Sequence, residues 1–180
     1  MNAGAEKALT SSAFELFGLS PVFSLDKEIL ERAYREIQSR VHPDRFAHAG
    51  DAERRASLQW ASRVNEAYRT LKDPVQRARH LLDLRGVDVA FETNTAMPAD
   101  FLVQQLEVRE SLEAAVGRKD SAALDGLRKN LLDQRKSLEN QIAKRIDTEH
   151  DYPGAAELVR KLMFLHRFDE ELDSAYEAVE

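Results

Sequence analysis

The 180-residue chain contains no cysteine, which excludes a disulfide framework, a thiolate nucleophile, a thiolate-bound zinc site and a cysteine-ligated iron–sulfur cluster within it. Long apolar runs are missing too. The longest in the C-terminal half is Leu162-Met163-Phe164-Leu165, far short of the roughly 20 residues that a membrane helix needs. Met1 to Ser20 holds one lysine, Lys7, no arginine and no apolar segment of signal-peptide length, so a cytoplasmic location is expected. No phosphate-cradling or dinucleotide-binding glycine pattern occurs, and His42, His48, His80, His150 and His166 are too scattered to suggest metal ligation. Neither a cofactor, nor a metal, nor catalysis by the chain itself is therefore expected.

What remains is a chain that must fold. At 43% hydrophobic and 32% charged it can bury a core, and 180 residues suffice for one or two domains. Only seven glycines and five prolines, among many Leu, Ala, Glu and Arg residues, predict an all-α protein. The net charge of −6 is unevenly spread: residues 1–80 carry 13 Lys/Arg against 11 Asp/Glu, whereas residues 81–180 carry 13 against 21. A near-neutral N-terminal part and a strongly acidic C-terminal part should prefer different partners.

Proline punctuates the N-terminal part. Pro21 closes a short apolar segment (Phe14, Leu16, Phe17, Leu19), Pro43 ends the next, and Pro74 opens a short one with Leu81, Leu82 and Leu84. Arg85 to Pro98 (RGVDVAFETNTAMP) lacks helical period and predicts a linker. Beyond it, apolar residues recur near every 3.6 positions over roughly 99–117, 121–149 and 153–179, the pattern of an elongated three-helix bundle. Leu124, Leu127, Leu131, Leu138, Ile142 and Ile146 share one face of the middle segment, with Ser121 placed to cap it. Leu158, Leu162, Leu165, Leu172 and Tyr176 share one face of the last.

Two further amphipathic segments face each other across a short loop. Ser24 to Val41 aligns Ile29, Leu30, Ala33, Tyr34, Ile37 and Val41, with Ser24 as its cap, and Asp51 to Lys72 aligns Trp60, Ala61, Val64, Ala67, Tyr68 and Leu71. They predict an antiparallel hairpin. Its loop begins with His42-Pro43-Asp44. Pro43 has no N–H and disfavours helical geometry at His42, so the helix must stop there, and the imidazole and carboxylate suit recognition at a protein surface.

AYREIQSRVHPDRF at Ala33–Phe46 and VNEAYRTLKDPVQRARHLL at Val64–Leu82 resemble the J-domain of J-type co-chaperones. Residues 1–84, with the short helix after Pro74, would form that domain, 85–98 the linker and 99–180 the bundle. The resemblance implies that His42, Pro43 and Asp44 trigger ATP hydrolysis in a DnaK-type chaperone. It also implies that basic residues of the preceding helix dock on the chaperone: Arg32, Arg35 and Arg40, with Lys27 beside them and Arg45 after the loop. Glu28–Arg32, Glu31–Arg35 and Glu36–Arg40 are equally (i, i+4) pairs that stabilise a solvated face. Val41 and Arg45 stand where tyrosine and lysine are usual in the family.

No Gly/Phe-rich tract follows. The J-domain followed by an acidic bundle resembles the HscB family of co-chaperones for iron–sulfur cluster assembly, most closely at Phe101–Glu113 (FLVQQLEVRESLE) and Val159–Phe168 (VRKLMFLHRF). That likeness implies two partners, the scaffold protein IscU on the bundle and the specialised chaperone HscA on the J-domain, and leaves room for weak self-association. On the first bundle helix Phe101, Val108, Leu112, Ala115 and Val116 form one face. Leu102, Val103 and Leu106 form another, flanked by Glu107, Glu110 and Glu113, and Met163 and Phe164 fall off the main stripe of the last helix. Such a second apolar patch is either a partner site (Leu102, Val103, Leu106, Glu107, Glu110, Phe164) or a face buried against the J-domain. A J-protein serving another client is the neighbouring alternative. A nucleic-acid-binding module is disfavoured by the acidic C-terminal part.

Overall fold

The computed structural model describes residues 11–41, 50–89 and 97–179. Their regular structure is helical, and the chain falls into two compact units, Met1–Leu84 and Arg85–Glu180. No described helix is long and apolar enough to cross a membrane.

The first unit holds α1 (Ala13–Phe17), α2 (Lys27–Val41), α3 (Asp51–Lys72) and α4 (Pro74–Asp83). A reciprocal capping box starts α1: Glu15 N–H donates to Ser12 Oγ at 3.2 Å and Ser12 N–H to Glu15 Oε2 at 2.8 Å. Gly18 closes it with φ of 63°, where only glycine is unstrained. The start of α2 corrects the expected Ser24 cap: Asp26 Oδ1 receives the N–H groups of Glu28 and Ile29 at 2.8 and 3.2 Å. Asp73 caps α4 through Gln76 N–H at 2.8 Å, with Pro74 in the first turn, where its missing N–H costs nothing.

The hairpin is antiparallel, as its cross-links show. Tyr34 Oη donates to Asn65 Oδ1 at 2.9 Å, Tyr34 stacks on Tyr68 with centroids 4.1 Å apart, and Ser57 Oγ donates to the Val41 carbonyl at 2.9 Å. Partners of later α2 residues thus come earlier in α3. Leu30, Val64, Ala67 and Leu71 are buried with Phe14, Phe17, Val75, Leu81 and Leu82, but Ile29 is 46% exposed, against expectation. Ile29 lies about 100° around the helix from the buried Leu30 and falls at the edge of the inward face. Trp60 and Tyr68 are half-buried.

One histidine ties this unit together. Ala13 N–H donates to His80 Nε2 at 3.1 Å and Phe14 stacks on the ring, so an uncharged imidazole joins α1 to α4. Burial lowers the pKa of His80 from the usual 6.5, Asp83 opposes the shift and Arg63 reinforces it. Between the folded and unfolded pKa values the unfolded chain binds more protons, so this contribution is complete above the unfolded value and is lost as pH falls through the folded one. Urea melts should show stability falling on acidification below about pH 6.5, less steeply in His80→Gln, which keeps an acceptor that does not titrate. Equal slopes in the two proteins would contradict this.

The second unit packs α5 (Ala99–Gly117), α6 (Ser121–Ala143) and α7 (Tyr152–Val179) against one another. A wider π-helical turn, Lys144–Glu149, continues α6, and Asp120, not the expected Ser121, caps it by accepting Ala123 N–H at 3.0 Å. The core contains Phe101, Leu112, Ala115, Leu124, Leu131, Leu165, Phe168 and Leu172, with Ile142, Ile146, Val159 and Leu162 toward the α6–α7 turn. Leu127, Leu138, Leu158 and Tyr176 are half-buried, whereas Phe168, absent from the expected stripe, is fully inside. Asp169 receives both Arg128 and Arg135 across the α6–α7 pair, and Tyr176 Oη donates to Asp125 at 2.7 Å. Residues 85–89 belong to this unit: Arg85 lies 5.2 Å over the Tyr152 ring, and the carbonyl of the buried Val89 accepts from Arg160 at 3.1 Å.

Candidate functional site

The candidate docking helix is α2, and His42, Pro43, Asp44 and Arg45 lie outside the described residues. Lys27, Arg32, Arg35 and Arg40 are all exposed. Of the three glutamate–arginine pairs expected along this helix, Glu36–Arg40 forms, at 2.6 Å. Among the described residues Arg32 and Arg35 make no ion pair. They therefore stand in water as guanidiniums able to meet a partner's carboxylates. Where α2 ends, an open groove of about 400 Å³ runs between it and α3, lined by Gln38, Val41, Leu58, Ala61, Ser62, Val64 and Asn65. Leu58 is 57% exposed there. Sequence reading passed over it, although its place off the Trp60–Leu71 stripe was the available signal.

The second candidate lies on α5. Leu102, Val103 and Leu106 are 43%, 56% and 59% exposed, and Glu107, Glu110 and Glu113 are exposed beside them. Three large aliphatics on neighbouring turns of one helix, rimmed by acids, offer an apolar contact with an electrostatic frame. Phe164 is placed differently from the sequence expectation. It is half-buried, meets Phe101 edge-to-face at 6.0 Å and packs against the bundle core, so its ring supports the helix that carries the patch. Two polar features of α5 were not anticipated. Gln105 is only 4% exposed, and Arg109 forms a two-pronged pair with Glu171 of α7 at 3.0 and 3.1 Å. Among the described residues no group of three or more His, Asp or Glu side chains is arranged to hold a metal ion.

The described helices present exposed arginines on α2 and an exposed apolar trio on α5, and comparison with known proteins places the chain among the co-chaperones. The model of the HSCB C-terminal oligomerisation domain matches residues 97–173. A protein of Burkholderia mallei described as a co-chaperone protein HscB homolog is 50% identical over 173 residues, which span 96% of this chain and 98% of that one. Among solved structures, chaperone HscB from Vibrio cholerae superimposes with a TM-score of 0.82 at 33% identity, over 94% of this chain and 100% of the other. Human co-chaperone protein HscB gives 0.85 at 26% identity, over 91% and 81%. The chain belongs to the HscB family of co-chaperones.

Proposed function

We infer that this co-chaperone holds the iron–sulfur scaffold protein IscU on its bundle, delivers it to the DnaK-type chaperone HscA, and stimulates that chaperone's ATPase through His42, Pro43 and Asp44. The purpose is maturation of iron–sulfur proteins in the cytoplasm. In this reading residues 1–84 act as the J-domain, 85–98 as the connection and 99–180 as the scaffold-binding bundle. The observation that carries the reading is the trio Leu102, Val103 and Leu106, exposed together on neighbouring turns of one helix beside Glu107 and Glu110. Phe164 contributes from behind, by holding α5. Arg32 and Arg35, exposed and without ion pairs among the described residues, are the better docking candidates on α2, with Arg40 shared with Glu36 and Arg45 next to the triad.

The chain performs no chemistry in this scheme; hydrolysis belongs to the chaperone. Holding both proteins at once turns their meeting into an encounter within one complex, at the raised effective concentration that a tether confers. The absence of cysteine fits an assistant that does not ligate the cluster through thiolates. Self-association of the bundle, in line with the description of the matching family model, would be weak and secondary.

Steady-state ATP hydrolysis by purified HscA, measured with IscU, with this chain and with both, tests the scheme. Stimulation by the pair well above that of either alone is expected, together with saturable binding of IscU to this chain by calorimetry. No binding and no added stimulation would overturn it. Binding of a different client by the same bundle would favour the neighbouring J-protein reading.

A further inference from the structure

The first two turns of α5 carry two apolar faces, of which one is buried. Their inward face offers Phe101 and Gln105, while Leu102, Val103 and Leu106 stay outside. Leu102 and Leu106 are separated by four residues, and a third apolar residue at position 109 would complete the spacing of a buried stripe. Position 109 instead holds Arg109, anchored to Glu171 of α7 by both prongs at 3.0 and 3.1 Å. Gln105 is a weak tenant of the core. It is 4% exposed, its Oε1 has no hydrogen-bond partner among the described residues, and it borders a cavity of about 60 Å³ also lined by Val108, Asn130, Gln134 and Phe168.

We propose that Arg109 is a positioning residue that fixes the rotation of α5 and so keeps Leu102, Val103 and Leu106 at the surface. Rolling the helix to bury Leu102 and Leu106 would break the Arg109–Glu171 pair and turn the guanidinium toward the core, where an unpaired charge is strongly disfavoured. Gln105 explains why such a device matters: a polar side chain in the inward row narrows the margin by which Phe101, Val108, Leu112 and Ala115 favour the observed rotation. The inference deepens the scaffold site and rests on that reading only for what the patch binds.

Because the chain has no cysteine, Leu106→Cys introduces a sole thiol whose modification rate by a soluble disulfide reagent reports exposure with no partner present. Adding Arg109→Leu is expected to slow that modification about two- to fivefold, the scale set by loss of a partly exposed ion pair. Adding Gln105→Leu as well should restore the original rate, by giving the inward row an apolar residue. Partial unfolding would speed modification, so slowing cannot come from a damaged fold. An unchanged or faster rate with Arg109→Leu, or slowing that Gln105→Leu does not reverse, overturns the proposal. IscU affinity of Arg109→Leu in the otherwise native chain, expected to fall, is a separate measurement, and failure of IscU to bind at all would leave the labelling result standing.

Discussion

His42→Gln is expected to abolish stimulation of the HscA ATPase while leaving affinity for IscU unchanged. Residue 42 follows directly on α2, which ends at Val41, and Pro43 then forbids continuation of the helix. The end of α2 is held by the Ser57 hydroxyl on the Val41 carbonyl, and its middle by the Tyr34–Asn65 hydrogen bond. The hairpin therefore offers a firm base for a recognition element. Glutamine keeps hydrogen-bonding capacity but loses the ring and its proton chemistry. Loss of one well-aligned, charge-assisted contact is worth about 1.5–3 kcal/mol, or roughly ten- to hundredfold in a rate that depends on it. The bundle, a separate compact unit, should bind the scaffold as before. Paired ATPase and calorimetric titrations decide the matter, and full stimulation by His42→Gln would remove the tripeptide from the mechanism.

Alanine at Leu102 and Leu106 should give the opposite pattern. Both side chains are exposed, so their removal should alter bundle stability by no more than about 0.5 kcal/mol. If they are anchors of the scaffold interface, each truncation costs about 1–2 kcal/mol of binding, and the double variant weakens affinity by roughly a hundredfold. Phe164→Ala should behave differently again. Its ring packs on Phe101 and the core, so about 2 kcal/mol or more of stability should be lost along with binding. Thermal melts beside scaffold titrations separate the two outcomes. Native affinity in the Leu102→Ala, Leu106→Ala protein would show that IscU is held elsewhere.

How far these sites can be read from the chain depends on which physical signal each one uses. Helix limits are strongly marked: α2 ends next to Pro43, α4 opens on Pro74, and α3 spans the expected Asp51–Lys72. Caps are less so, because Asp26 competes with Ser24, and Asp120 with Ser121, within two residues, and only the local geometry selects the acceptor. Periodicity also identifies much of the inward rows of α6 and α7, although Phe168 and Val159 join the α7 row unannounced. On α5 it separates the row of Phe101, Leu112 and Ala115 from that of Leu102, Val103 and Leu106, but whether the second row meets solvent or another part of the chain depends on residues far apart in sequence. The same limit applies to Phe164: its place off the main stripe was visible, but its contact with Phe101 across two helices was not.

The bundle's cations are largely committed to its own structure. Arg109, Arg128, Arg135 and Arg145 reach carboxylates, Lys161 lies over Phe101, and Arg160 donates to the backbone at Val89. Glu107, Glu110 and Glu113, exposed beside the apolar trio, make no ion pair among the described residues. Their negative charge is therefore available where contact would occur, and its consequence is kinetic. A partner with a basic face would be drawn in from beyond contact range, so added salt should slow its arrival more than it hastens its departure. The leucines would govern how long the complex lasts, and the glutamates how often it forms.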